Sequence, residues 1–169
     1  MHSQGATEHE RHEALVGNVI SALKGRGYHV RGEALGITGN IQVFMSPTEE
    51  TSRALVAQAD ALAAKREKRL VVIECELSAA PKRSGGDLAV YLLARKIVAA
   101  GDRFPVGDGE LDLLIVLEDQ NDAGVKADQL ADLELGWTKV LDLPRGALNR
   151  VAVTQLKHLA HALDQLAES

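Results

Sequence analysis

The segment RLVVIECEL, residues Arg69–Leu77, constrains the fold of this 169-residue chain more than any other feature. It is almost continuously apolar and rich in β-branched residues, which is typical of a strand buried in the middle of a sheet. Glu74 and Glu76 interrupt it at alternate positions, so both carboxylates project from the same face. Because burying an ionised carboxylate is costly unless it is paired or binds metal, these acids predict a functional site. The alternative is an edge strand whose acids face solvent.

The segment before it, Leu55–Ala64, is apolar apart from Gln58 and Asp60. A fully charged tip, Lys65–Lys68, separates the two segments. This pattern predicts a β-hairpin. The alternative is a helix over Ser52–Lys68, because Ala and Leu favour helix.

The hairpin brings a third acid to the site. If the chain turns about Glu67, Asp60 lies directly across from Glu74, with the two side chains on the same face and roughly 5 Å apart. The carboxylates of Asp60, Glu74 and Glu76 then converge. A cluster of oxygen ligands of this kind suits Mg²⁺ or Mn²⁺ rather than zinc.

The rest of the chain alternates helical and extended patterns, which predicts an α/β fold with a central mixed β-sheet flanked by α-helices. Helices are predicted over Glu10–Lys24, Asp87–Ala100, Asp128–Leu135 and Val151–Ala167, strands over Ile41–Phe44, Leu111–Leu117 and Trp137–Leu143, an extended segment from Tyr28, and a loop over 80–86. Residues 47–53 are either a loop or a short helix capped by Ser46. We expect residues 1–9 to be a disordered lead and residues 10–169 to be one domain.

Composition limits the classes of function. Aromatic residues are 3% of the chain, so the core must be aliphatic, and the formal net charge of −5 argues against a general nucleic-acid scaffold, which would be basic. Cys75 is the one cysteine, which favours a reducing compartment. The sequence has neither an apolar run of about 20 residues nor the apolar stretch of a signal peptide. We therefore expect a cytoplasmic protein that does not bind membranes.

The order of these elements and acids resembles the PD-(D/E)xK superfamily, which includes restriction endonucleases, Holliday-junction resolvases and repair nucleases. The matching residues are Ala59-Asp60 and Glu74-Cys75-Glu76, and Glu13 resembles the extra acid that several members carry on the first helix. The resemblance spans roughly residues 10–143 and implies a restriction endonuclease-like fold. Two positions depart from the motif, because Ala59 replaces proline and Glu76 replaces lysine.

The resemblance implies a Mg²⁺- or Mn²⁺-dependent endonuclease that acts on DNA, as a homodimer. Asp60 and Glu74 would hold the cation, Glu76 would bind a second cation or orient the attacking water, and Glu13 would complete the catalytic set. Lys82 and Arg83 would contact phosphate, and Lys82 or Lys96 would replace the missing lysine. One alternative is an inactive member of the fold that binds nucleic acid or protein. Another is an unrelated α/β protein.

Other reactive side chains have simpler interpretations. The pairs His9 and His12, and His158 and His161, have helical spacing and are expected at the surface. Cys75 points away from the two flanking acids and is expected to be a buried structural thiol.

Overall fold

The computed structural model describes residues 5–31, 41–65, 69–77, 81–119 and 146–167. The elements in chain order are α1 (Glu8–Gly25), β1 (His29–Arg31), β2 (Ile41–Phe44), β3 (Leu55–Ala59), β4 (Ala61–Ala64), β5 (Leu70–Glu76), α2 (Pro81–Leu92), β6 (Lys96–Ala99), β7 (Asp102–Pro105), β8 (Leu111–Leu117), β9 (Leu148–Gln155), a 3-10 turn (Leu156–His158) and α3 (Leu159–Ala167). Within this part of the chain, no helix is both long and apolar enough to cross a membrane.

A five-stranded sheet in the order β1-β4-β5-β8-β9 forms the centre of the fold. Strand β4 is antiparallel to β1 and to β5, whereas β5, β8 and β9 run parallel. Helices α1 and α3 pack on one face of this sheet. Helix α2 and a second, antiparallel sheet in the order β3-β2-β6-β7 pack on the other. The expected α/β class, with a mixed central sheet flanked by helices, is confirmed.

Aliphatic side chains fill both layers, as the composition predicted. All seven residues of β8 are buried. Leu113 and Ile115 face the second sheet, while Leu114 and Val116 face α1 and α3. A strand that is covered on both faces has no solvent side, which is why LDLLIVL lacks alternation.

Helix α1 begins with a capping box that places its start at Glu8. The Thr7 hydroxyl accepts a hydrogen bond from the amide of Glu10, and the Glu10 carboxylate accepts one from the amide of Thr7. Residues 8 and 9 are therefore helical rather than part of a disordered lead. The helix buries Leu15, Val16 and residues further along the same face against the central sheet.

The predicted hairpin is confirmed in register and corrected in extent. Ala61 pairs with Ile73 and Ala64 with Leu70, which is the register of a turn about Glu67. The helical alternative is wrong. However, Leu55–Ala64 is two strands rather than one, because the chain passes from the second sheet into the central sheet at Asp60. Strand β3 then pairs with β2 in the second sheet.

Helix α2 is displaced from its predicted position. It begins at Pro81, within the predicted loop, because proline is well suited to the first turn of a helix. It ends at Leu92, and Lys96–Ala99 is a strand, not the end of the helix. Ala100 and Gly101 have φ of 50° and 84°, so they form a tight turn that the helix prediction missed.

The predicted C-terminal helix over Val151–Ala167 is wrong in its first half. Leu148–Gln155 is strand β9, which pairs in parallel with β8 along its whole length. Val151 and Val153 fit an extended strand as well as a helix, and pairing with β8 satisfies backbone groups that would otherwise be buried without partners. The predicted elements over Asp128–Leu135 and Trp137–Leu143 lie outside the described residues.

Residues 47–53 form a loop rather than a short helix. The Ser46 hydroxyl accepts hydrogen bonds from the amides of Thr48 and Glu49, at 3.3 and 3.0 Å, as a capping residue would. The short turn is not continued into a helix.

Candidate functional site

The site lies where β4 begins, at Ala61, because β5 continues past Ile73 with no β4 residue paired to that edge. In an antiparallel ladder the N–H and C=O of one residue point to the same neighbouring strand. The Ile73 carbonyl still accepts a bond from the amide of Asp60, at 3.2 Å. The next residue pointing this way is Cys75, and its backbone groups lie beyond the end of β4. Side chains satisfy them instead.

Asp60 and His12 satisfy these two backbone groups. The Asp60 carboxylate accepts the Cys75 N–H through Oδ2 at 2.7 Å. His12 Nε2 lies 3.1 Å from the Cys75 carbonyl oxygen and 3.4 Å from Asp60 Oδ2. One imidazole nitrogen, one carboxylate oxygen and one carbonyl oxygen therefore meet at the end of β5. Both side chains are partly exposed, so the cluster is open to solvent.

Glu74 enters the site from the face of β5 that carries α2. The hydroxyl of Tyr91, a fully buried residue of α2, donates a short hydrogen bond to Glu74 Oε1. The pKa of Glu74 is raised to about 9: burial is the main cause, the Tyr91 hydrogen bond opposes it, and the charges of Asp60, Asp87 and Glu76 add to it. In the metal-free protein Glu74 is therefore protonated at neutral pH.

The same acids act on their neighbours. Burial is the main cause of the raised pKa of Tyr91, followed by the charge of Glu74. Burial also raises the pKa of the Cys75 thiol far above its usual range, with Asp60, Glu74 and Glu76 adding to the effect. The expectation of a buried structural thiol is confirmed, because Cys75 packs among apolar side chains on the α1 face.

Asp87 is a site residue that the sequence reasoning missed. It lies on α2 one turn before Tyr91, and its charge raises the pKa values of both Glu74 and Tyr91. Asp87 and Tyr91 are four residues apart, and this spacing places both side chains on one face of α2. From the sequence, Asp87 is predicted only as the residue that starts the helix.

His12 is the second residue that was missed. It was expected at the surface with His9, but it is half-buried and faces Asp60. Its position is three and four residues before the buried Leu15 and Val16, so the helical period alone places it on the inner face of α1. The expectation for His158 and His161 is confirmed, because both are exposed.

Glu76, the third predicted ligand, is buried on β5 at 5% exposure. It is close enough to raise the pKa values of Glu74 and Cys75. The convergence of the Asp60, Glu74 and Glu76 carboxylates stays a prediction. Among the described residues, no three His, Cys, Asp or Glu side chains are grouped so that they could hold a metal ion.

Two other predicted residues lie elsewhere. Glu13 is exposed and pairs with His9 at 3.3 Å, so His12 takes the position near Asp60 that was expected for Glu13. The Lys96 ammonium lies 3.0 Å from Glu50 and over the ring of Phe44, in the second sheet. Because that ion pair holds it there, Lys96 does not substitute for the lysine of the motif.

Lys82 and Arg83 are in the first turn of α2 rather than in a loop. Their side chains lie outside the described part of the structure, so their proposed phosphate contacts stay a prediction.

Carboxylate and carbonyl oxygens are the donors that a hard divalent cation prefers. At the end of β5 the Asp60 carboxylate lies at the Cys75 amide and His12 lies at the Cys75 carbonyl, whereas the Glu74 carboxyl contacts Tyr91 on the α2 face. Burial, together with the nearby acids, keeps a proton on Glu74, and a dication beside that carboxyl would favour its charged form instead. To hold a metal, Glu74 would have to lose that proton.

Comparisons with known proteins leave the family open. A scan against protein-family models found no match, a search of curated proteins found none, and a search of solved structures found none.

Proposed function

We propose that this chain is a divalent-metal-dependent nuclease that hydrolyses phosphodiester bonds in DNA on a restriction endonuclease-like fold. The observation that carries the proposal is the position of Asp60 at the start of β4, where its carboxylate accepts a hydrogen bond from the Cys75 amide, next to Glu74 on β5. This is where the sequence resemblance puts the first acid and the Glu-x-Glu segment of the motif.

The order of the central sheet supports the proposed fold. Helix α1 is followed by the antiparallel strands β1, β4 and β5, and α2 then connects β5 to the parallel strand β8. This is the helix, strands, hairpin, helix and strand order on which the resemblance rests. The second sheet, β3-β2-β6-β7, is inserted between these elements and contributes Ala59, the residue before Asp60.

The chain's own residues would hold and orient the cation. Asp60 and Glu74 would bind it with their carboxylates, and the Cys75 carbonyl would bind it as a third, rigid oxygen because β5 is fixed by pairing with β8. Tyr91 would keep Glu74 directed towards the site through its hydroxyl. The bound metal would lower the pKa of its water and offset charge on the phosphate.

Glu76 favours a second candidate function. The motif has lysine at this position, and in this chain a buried carboxylate occupies it. A protein of this fold with a carboxylate in place of the motif lysine could bind DNA or another protein without cutting DNA. This candidate shares the fold of the first, so an experiment has to separate them by chemistry.

The experiment is a cleavage assay on supercoiled, linear duplex and single-stranded DNA with Mg²⁺, Mn²⁺ or EDTA. The wild type is compared with Asp60→Asn and Glu74→Gln, and the exposed loop acid Glu49 provides the matched control Glu49→Gln. We expect metal-dependent cleavage by the wild type and by Glu49→Gln, and a loss of at least about 100-fold in the two site variants. Wild-type protein that binds DNA without cutting it would support the binding module instead.

A further inference from the structure

We infer that Gln155 contacts the sugar-phosphate backbone of the nucleic-acid substrate through its side-chain amide. This inference rests on the proposed function and specifies a substrate contact on β9, a strand that contributes no residue to the site expected from the sequence.

Gln155 lies at the same end and on the same face of the central sheet as Glu74 and Glu76. In the parallel register Glu76 is the partner of Leu117, and Leu117 is the partner of Gln155. Side chains alternate along a strand, so Gln155 shares a face with Val153, which packs on the α2 side. Two strand spacings separate the backbones of Glu76 and Gln155 by roughly 10 Å. Sheets of this class bind their ligands at the carboxyl ends of parallel strands, where this row lies.

The amide of Gln155 is buried without a structural partner. Gln155 is 6% exposed, yet within the described part of the chain its side chain makes no hydrogen bond. It stands just before the 3-10 turn Leu156–His158, where a side chain commonly caps the free amides, but it does not cap them. The carboxylate of Asp119 accepts the Lys157 N–H instead, at 2.8 Å. Because a buried amide without a partner costs free energy, its presence at this strand end indicates a ligand that pairs with it.

The chemistry of the surrounding acids favours a neutral donor at this position. Glu76 and Asp87 lie close enough to Glu74 for their charges to act on its carboxyl. A lysine or arginine on the same face would pair with these acids rather than with a substrate. The Gln155 amide is uncharged, so it can donate N–H bonds to phosphate or sugar oxygens, as glutamine does in protein–DNA complexes. A contact of this kind positions the strand without reading its sequence.

The test measures DNA binding in EDTA, so it requires neither metal nor cleavage. Fluorescence anisotropy gives the Kd of labelled duplex and single-stranded DNA for the wild type, Gln155→Met, Gln155→Glu and Gln42→Met. Methionine keeps the length of glutamine and removes the amide, whereas glutamate keeps the shape and adds a negative charge. Gln42 is a half-buried strand glutamine in the second sheet, so Gln42→Met is the matched control. Urea unfolding of the same variants reports any structural role of the amide.

We expect Gln155→Met to weaken DNA binding by about tenfold, and Gln155→Glu to weaken it further because a carboxylate repels phosphate. Gln42→Met should bind DNA as the wild type does. Gln155→Met should be at least as stable as the wild type, because it removes a buried amide that has no partner.

Unchanged DNA affinity in Gln155→Met, or equal weakening by Gln42→Met, would overturn the inference alone. A lower unfolding free energy of Gln155→Met would also overturn it, because the amide would then have a structural partner. If the expected losses of affinity are seen in a protein that does not cleave DNA, the contact is supported and the nuclease activity is refuted. A wild-type protein that binds no DNA would overturn both.

Discussion

Replacing Glu74 with glutamine is expected to stabilise the metal-free protein at neutral pH. Burial raises the pKa of Glu74 in the folded state to about 9, whereas the ordinary value is 4.5. The folded protein must therefore keep a proton on Glu74 that the unfolded chain releases near pH 4.5. Glutamine has the shape of that protonated side chain and no proton to lose. It can still accept the hydrogen bond from Tyr91.

The size and sign of the effect follow from linkage between folding and proton binding. The Glu74 contribution to stability is fully present below pH 4.5 and is lost as the pH rises towards 9. At pH 7 the loss is about 3 kcal/mol, at 1.36 kcal/mol per pH unit. For a chain of this length, about 3 kcal/mol corresponds to roughly 6–12 °C in melting temperature. At pH 4.5 the variant and the wild type should be nearly equal.

Urea unfolding in EDTA at several pH values between 4.5 and 8.5 tests this expectation. The difference in unfolding free energy between Glu74→Gln and wild type should grow with pH, whereas the exposed control Glu49→Gln should show little change. A constant difference across the pH range, or a variant less stable than wild type at pH 7, would refute the claim that Glu74 is held protonated. Added Mn²⁺ should stabilise the wild type more than Glu74→Gln, because the variant lacks the ligand.

Two further substitutions test other parts of the structure. Tyr91→Phe removes the hydroxyl that lowers the pKa of Glu74, so the Glu74 pKa should rise above its wild-type value in a carboxyl-carbon NMR titration. An unchanged or lower pKa would contradict the hydrogen bond. Ala100→Asn should raise the unfolding free energy by about 0.5–1 kcal/mol, because asparagine tolerates the left-handed φ of 50° better than alanine does. Destabilisation in the same urea assay would mean that the turn between β6 and β7 is not the one described.

The central strand and its partner were predictable from local sequence. Nearly continuous β-branched residues specify β5 and β8 as buried strands, because few other structures accept apolar side chains on both faces. The charged tip between two apolar runs specified the hairpin and its register. Those features also placed Asp60 beside the Glu74 segment.

Positions that depend on distant partners were not predictable in this way. Lys96–Ala99 continues the apolar pattern of α2, and it becomes a strand because β2 and β7 pair with it from either side. Residues 151–155 could be helix or strand, and pairing with β8 decides between the two. Local propensity is worth a fraction of a kcal/mol per residue, so a full set of sheet hydrogen bonds and buried contacts outweighs it.

The sequence by itself determined which acids were available and the strand that carries Glu74 and Glu76. The tertiary structure decided what surrounds them. The break at Asp60 exists because β3 and β4 belong to different sheets, and it leaves the Cys75 backbone groups for Asp60 and His12 to satisfy. The side-chain period of a strand is local, but where its neighbour ends depends on how the whole chain packs.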